Sequence, residues 1–138
     1  MQWCHGSPSW VMVLGDYISG IDSDVLLDSS KRAADFTWKE GLIVKGRNLC
    51  HGISGNGFCL LDYYHKTKDL KYLHYAAQFA AFSLARGNIA LLLEDEDKID
   101  QHCSLMLGEL GHSLFLSELL AAEQQSDCLF PSWSLFKQ

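Results

Sequence analysis

The chain has 138 residues, of which 48% are hydrophobic and 20% charged, and its formal net charge is −6. This length fits one domain with enough chain to bury a core. An acidic chain without a basic cluster argues against nucleic acid as a partner. No apolar run approaches the roughly 20 residues of a membrane span, and no signal peptide is recognisable. Five scattered cysteines argue against a disulfide framework and favour a reducing, intracellular compartment.

Hydrophobic periodicity predicts helices over most of the chain, with the two prolines confined to its ends. In chain order, we expect helices at 8–19, 23–40, 54–65, 69–86 and 109–123. Asp69 is the expected N-cap of the fourth helix and Gly87 the residue that ends it. The acidic run within residues 88–103 predicts an exposed loop.

Two of these helices carry apolar residues that we expect to be buried at least in part. In the second helix they are Leu26, Leu27, Ala33, Ala34, Phe36 and Trp38. In the fourth helix they form two adjacent stripes, Leu70, Leu73, Ala77, Ala80 and Leu84 beside Tyr72, Tyr75, Phe79 and Phe82. Two stripes on one helix indicate packing on more than one side.

A glycine-led turn precedes three of the predicted helices. These turns are Gly6-Ser-Pro-Ser9, Gly52-Ile-Ser-Gly55 and Gly108-Glu-Leu-Gly111. A second helix follows each of the first two, which is the pattern of a helical-hairpin repeat. We therefore predict an all-α fold in which one helix of each hairpin lines an inner ring and the next shields it.

The first two turns carry the same short motif, Cys4-His5-Gly6 and Cys50-His51-Gly52. Cysteine and histidine are preferred zinc ligands, and the N-terminal end of a helix favours the thiolate form. Cys4, Cys50 and His51 would leave one zinc position open, as in catalytic sites, whereas adding His5 would make a closed, structural site. The sequence alone also allows a third interpretation, in which these residues are core side chains and no metal binds.

Other residues with metal-binding or catalytic chemistry have weaker support. We expect core packing for Cys59, structural roles for His65 and His74, and no role for Cys128. His102 and Cys103 form a pair without identifiable partner ligands, and Ser104 and Ser113 have no visible base. Lys45, in a glycine-bounded loop before the second motif, could meet a substrate carboxylate, although lone lysines are usually just exposed.

These elements resemble the LanC-like (lanthionine synthetase C-like) family. The similar segments are Trp3 to Pro8, Gly41 to Gly46, Leu49 to Asn56, Lys71 to Leu73, Ser104 to Gly111 and Leu129 to Pro131. The resemblance implies a toroid of helical hairpins, of which this chain would form a part with about three inner helices. It also implies that residues 1–138 are the C-terminal third of one such domain, with the N-terminal part missing.

The resemblance further implies a zinc site formed by Cys4, Cys50 and His51, without His5. Eukaryotic family members use the zinc to add the thiol of glutathione to dehydroalanine or dehydrobutyrine in peptides and proteins, and Lys45 would contact glutathione. The expected location is the cytoplasm, with peripheral attachment to the plasma membrane as a second expectation. We expect incomplete activity in a fragment; the alternative is a non-catalytic scaffold that binds zinc and glutathione.

The sequence departs from the family pattern at three places. Ser9 replaces the usual glycine of the first turn, and we expect strain there if the position requires a positive φ. Leu107 replaces a glutamate before the third glycine turn. The loop 88–103 is longer and more acidic than expected, so its glutathione contacts cannot be aligned.

Overall fold

The computed structural model describes residues 2–18, 23–43, 46–90 and 103–125. These ranges contain five helices: α1 (Ser7–Ile18), α2 (Asp24–Glu40), α3 (Ile53–Thr67), α4 (Leu70–Ala90) and α5 (Glu109–Gln125). They contain no strand, and the only β-type pairing in them is an isolated bridge between Gln2 and His5. The all-α prediction is confirmed. None of the described helices is long and apolar enough to cross a membrane.

The starts of the helices follow local capping chemistry. The Ser23 side chain accepts a hydrogen bond from the Leu26 amide at the start of α2. Asp69 caps α4 as predicted, because its carboxylate accepts a hydrogen bond from the Lys71 amide at 3.0 Å. The predicted end of α4 is wrong, since the helix continues through Gly87 to Ala90. A glycine inside a helix costs only about 1 kcal/mol, so it does not by itself end one.

The helices form two hairpins and the start of a third. Helix α1 packs against α2, and α3 packs against α4. Helix α3 also lies against α1 on one side and α5 on the other, so the three helices that follow glycine-led turns are neighbours. This is the arrangement of a partial α/α toroid, in agreement with the predicted fold class.

Helix α3 is the centre of the described structure because neighbours cover it on nearly every side. Its buried residues are Ile53, Ser54, Gly55, Asn56, Gly57, Cys59, Leu60, Leu61, Tyr63 and Tyr64. The prediction of core packing for Cys59 is confirmed, since its side chain is fully buried. Helix α4 contributes both of its apolar stripes to the same core, where Tyr72, Leu73 and Phe79 are buried.

Helices α2 and α4, each the second helix of its hairpin, are joined by polar and aromatic contacts. The Asp35 carboxylate on α2 accepts hydrogen bonds from Lys71 Nζ at 2.8 Å and from the Tyr72 hydroxyl at 3.1 Å on α4. Trp38 stacks on Tyr75, with ring centroids 4.1 Å apart. These contacts fix α2 against α4.

Several apolar side chains that we expected to be partly buried are instead exposed. On α2 these are Leu27 and Phe36, and on α4 they are Leu70 and Leu84, near the two ends of their stripe. The buried residues of α2 are Ser30, Ala34 and Thr37, and Phe36 does not share their face. The apolar pattern therefore predicted more burial than the packing of these helices provides.

If the three repeats are counted from Trp3, Leu49 and Leu105, the seventh residue of each lies close to the backbone carbonyl of the first. A Cβ atom at Gly55 would lie 1.8 Å from the Leu49 carbonyl oxygen, and one at Gly111 would lie 2.1 Å from the Leu105 carbonyl oxygen. At the equivalent position of the first repeat, the Ser9 hydroxyl donates a hydrogen bond to the Trp3 carbonyl.

The expectation of a strained Ser9 is wrong. Lys68 is the only non-glycine residue with a positive φ in the described ranges, so Ser9 has an ordinary backbone conformation. The first turn instead uses a positive φ of 110° at Gly6, whereas Gly52 has a φ of −98° in the second turn. The first two turns therefore differ in backbone conformation at their first glycine.

We expect Gly55→Ala to destabilise the protein by about 3 kcal/mol or more, because the added methyl would overlap a backbone carbonyl that cannot move away alone. Ser9→Ala, at the equivalent position, should cost about 1 kcal/mol for the lost hydrogen bond. Chemical denaturation of both variants and the wild type measures the difference. Equal losses in the two variants would contradict the close approach at Gly55.

Candidate metal centre

Backbone hydrogen bonds link Cys4, Cys50 and Met106, which precede the first glycine of their repeated turns by two positions. The Cys4 amide donates to the Cys50 carbonyl at 3.3 Å, and the Cys50 amide donates to the Met106 carbonyl at 2.8 Å. Trp3 also packs on α3, since a Cβ atom at Gly55 would lie 2.9 Å from the Trp3 Cβ. The repeat therefore places Cys4 beside Cys50, although 45 residues separate them in sequence.

The second turn is tightly folded around its two candidate ligands. The His51 amide donates to the Asn48 side-chain oxygen at 2.8 Å, and the Ile53 amide donates to the Gly46 carbonyl at 2.9 Å. Gly52 lies so close to Asn48 that a Cβ atom would come within 2.4 Å of its backbone. These contacts fix the backbone that carries Cys50 and His51.

The structure brings the three predicted ligands together. The ligand atoms of Cys4, Cys50 and His51 all lie within 4.8 Å of one another, and Cys4 Sγ lies 3.0 Å from His51 Nδ1. In a tetrahedral zinc site, two thiolates are about 3.8 Å apart, as follows from Zn–S bonds of about 2.3 Å. The two cysteines are half-buried and His51 is exposed, so this donor set fits zinc and faces solvent on one side.

The electrostatics of the thiols depend on their mutual proximity. Burial raises the pKa of the Cys50 thiol, and the neighbouring Cys4 thiol raises it further. Two thiolates side by side repel each other, and a divalent cation between them removes that penalty. The pair is therefore suited to bind a metal ion rather than to remain a free thiolate pair.

His5 lies beside the cluster but contacts only one of its members. Its Nδ1 is 3.0 Å from Cys4 Sγ, and the side chain is exposed. The group whose ligand atoms are all mutually close comprises Cys4, Cys50 and His51. His5 is not part of that mutually close group.

Other candidate residues lie either outside the described residues or outside the ligand cluster. Lys45, His102 and Cys128 lie outside the described residues, as does most of the predicted loop 88–103, whose first three residues belong to α4. Cys103 is an exposed free thiol. Ser104 accepts a hydrogen bond from the Leu107 amide at 3.1 Å and so supports the third turn, in which Leu107 is exposed.

A buried polar pair next to the ligand segment was not anticipated. Ser54 Oγ on α3 lies 2.8 Å from His112 Nδ1 on α5, and the two residues are 0% and 4% exposed. Close by, Arg47 forms an ion pair with Glu109 at 2.9 Å. No sequence motif connects Ser54 with His112, 58 positions further on, and so the repeat that identified the candidate ligands could not reveal this pair.

Comparison with known proteins agrees with this architecture. The family profile for lanthionine synthetase C-like proteins matches residues 1–135. The chain belongs to the lanthionine synthetase C-like family. A curated relative, glutathione S-transferase LANCL1 from Danio rerio, is 30% identical over 135 residues, which are 98% of this chain and 31% of the relative. The chain thus spans about a third of the length of that relative.

Within this LanC-like chain, we expect His112 to make stability depend on pH. Burial lowers the pKa of His112, Arg47 lowers it further, and Glu109 offsets part of the shift, so the folded state disfavours the imidazolium. The unfolded chain takes up this proton below about pH 6.5. The folded state therefore loses stability as the pH falls from about 6.5 to the folded pKa, by about 1.4 kcal/mol for each unit of the shift.

The measurement is the free energy of unfolding of wild type and His112→Asn from pH 7.5 to pH 5, both with chelator present. The other histidines and the thiols are common to both proteins, so the difference between the curves isolates His112. The wild type should lose more stability than the variant toward acid pH. Parallel curves would show that His112 titrates normally.

Proposed function

We propose that this protein binds one zinc ion through Cys4, Cys50 and His51 and uses it to activate the thiol of glutathione. The proposal is supported mainly by the convergence of these three ligand atoms within 4.8 Å. A three-ligand site retains one position for a substrate thiol. Membership of the LanC-like family and the name of the LANCL1 relative both point to glutathione chemistry.

In the proposed reaction, glutathione adds to a dehydroalanine or dehydrobutyrine residue of a peptide. Bound zinc would lower the pKa of the glutathione thiol, so that the thiolate is available at neutral pH. The sulfur forms a C–S bond with the β-carbon, and the α-carbon takes up a proton, which completes a thioether without any further reagent. Cys4, Cys50 and His51 hold the metal, and the exposed side of His51 leaves the peptide a route of approach.

Lys45 would bind a carboxylate of glutathione in this proposal. It precedes the tight turn that carries Cys50 and His51 by a few residues, so its ammonium group could be near a thiol held at the metal. A lysine ammonium is a compact positive charge suited to a carboxylate. The reaction would take place in the cytoplasm, which is consistent with the free thiols of Cys4, Cys50, Cys59 and Cys103.

Elemental analysis of the purified protein tests the metal site. We expect about one zinc per wild-type chain and almost none in Cys50→Ser, because one of three ligands is lost. Cys59→Ala is the matched control, since Cys59 is a buried cysteine of the core and should leave the zinc content unchanged. Zinc retained in Cys50→Ser, or absent from folded wild type, would refute the site.

Mass spectrometry of a dehydroalanine peptide incubated with glutathione and protein tests the reaction. A gain of one glutathione that depends on Cys50 supports an enzyme. Binding of zinc and glutathione without this product would instead support the non-catalytic scaffold. Formation of the glutathione adduct, and not the zinc content, therefore distinguishes the enzyme from the non-catalytic scaffold.

We expect Lys45→Ala to raise the glutathione concentration needed for half-maximal binding by roughly tenfold, the loss of about 1.4 kcal/mol that one charge-assisted contact provides. Lys39→Ala is the control, because Lys39 is an exposed lysine at the end of α2. Calorimetric titration of the zinc-loaded proteins with glutathione measures both. An unchanged affinity in Lys45→Ala would remove Lys45 from the site.

A further inference from the structure

Three contacts join the third repeat to the segment that carries two of the metal ligands. Before the ligands, Arg47 pairs with Glu109 at 2.9 Å. At the ligands, the Cys50 amide donates to the Met106 carbonyl at 2.8 Å. After the ligands, Ser54 Oγ lies 2.8 Å from His112 Nδ1. The third repeat therefore holds the segment 47–54 before, at and after its two candidate ligands, Cys50 and His51.

The last of these contacts is the most deeply buried. Ser54 is fully buried and His112 is 4% exposed. The His112 Nε2 has no hydrogen-bond partner within the described residues, so Ser54 is the polar contact that fixes the orientation of the ring. Burying an imidazole with one unpartnered nitrogen costs free energy, and the fold accepts this cost beside the ligand segment.

The third repeat supplies no ligand of its own in this region. Met106 and Leu107 occupy the positions that Cys50 and His51 hold in the second repeat, and neither belongs to the ligand cluster. Met106 packs against the core while its carbonyl receives the Cys50 amide. The contacts of the third repeat with the second are thus suited to hold the ligand backbone in place.

We propose that His112 is a positioning residue for the metal site: through Ser54 it fixes the first turn of α3, and thereby the adjacent Cys50–His51 segment, in the geometry that binds metal. This inference rests on the zinc site proposed above. Groups outside the ligand shell that orient ligands commonly contribute tenfold or more to metal affinity, because a disordered ligand must be fixed when the metal binds.

The zinc dissociation constant, measured by competition with a chelator at pH 7.5, tests the proposal. We expect Ser54→Ala and His112→Leu each to weaken zinc binding by roughly tenfold. The double variant should lose no more than either single variant, since both changes break the same contact. His112→Asn should bind zinc almost as wild type does, because its amide reaches the position of Nδ1 and can keep the bond to Ser54.

Ser30→Ala provides the matched control. Ser30 is also fully buried, and its hydroxyl bridges α2 and α3 by a hydrogen bond of 3.1 Å to the Tyr63 hydroxyl. This variant should lose stability as Ser54→Ala does but should retain the zinc affinity of wild type. Absorption spectra of the cobalt-loaded proteins add a second readout, because altered ligand geometry shifts the bands of bound Co²⁺ and reduced stability alone does not.

The outcomes separate this inference from the proposed function. Zinc affinities in Ser54→Ala and His112→Leu that match wild type would overturn the positioning role while leaving the metal site intact. An equal loss of affinity in Ser30→Ala would also overturn it, since any loss of stability would then suffice. A folded wild type that binds neither zinc nor cobalt would overturn both. Zinc binding without glutathione addition would contradict the proposed enzymatic function. The positioning role would still be supported if Ser54→Ala and His112→Leu bind zinc more weakly than wild type.

Discussion

The structure depends on a series of backbone hydrogen bonds between equivalent turns. The Cys4 amide donates to the Cys50 carbonyl, and the Cys50 amide donates to the Met106 carbonyl. These bonds use no side-chain atoms, so the turns can keep their arrangement while their side chains differ. The same backbone position carries a cysteine twice and a methionine once. The candidate ligands thus lie on a repeated backbone arrangement, and the repeat that carries none of them still bonds to its neighbour.

The second constraint is the close approach between the first turn of a helix and the backbone that precedes it, as at Gly55 and Gly111. Helix α3 is covered by α1, α4 and α5, and its first turn consists of small or compact residues. Gly55 cannot carry a side chain because the Leu49 carbonyl occupies that space. The first repeat meets the same constraint differently, with a hydroxyl at Ser9 that bonds to the Trp3 carbonyl and a positive φ at Gly6. The departure from the repeat pattern at Ser9 therefore occurs without a positive φ at the substituted residue.

The sequence was sufficient to predict the parts of the fold that are encoded locally or by repetition. Periodicity and glycine turns located the five helices of the described residues, and the repeated motif identified a candidate ligand cluster because equivalent turns lie side by side. The end of α4 was mispredicted because a single glycine does not decide a helix terminus against the bonding of its neighbours. Phe36 was expected to be partly buried but is exposed, since the neighbouring helices decide which face of a helix is covered. The pair of Ser54 and His112 was missed because it depends on a tertiary contact between residues with no common motif.

The distribution of these contacts suggests why metal binding and folding would be coupled in this protein. The second and third repeats are joined by a short backbone hydrogen bond, an ion pair and a buried side-chain contact. At the turns, the first repeat is joined to the second by a longer backbone bond of 3.3 Å and by the packing of Trp3. A zinc ion held by Cys4, Cys50 and His51 would cross-link these two turns. Because a ligand that binds only the folded state stabilises it, the metal would strengthen the junction between the first and second repeats. The third repeat would then order two ligands in advance, and the metal would recruit the third ligand from the first repeat.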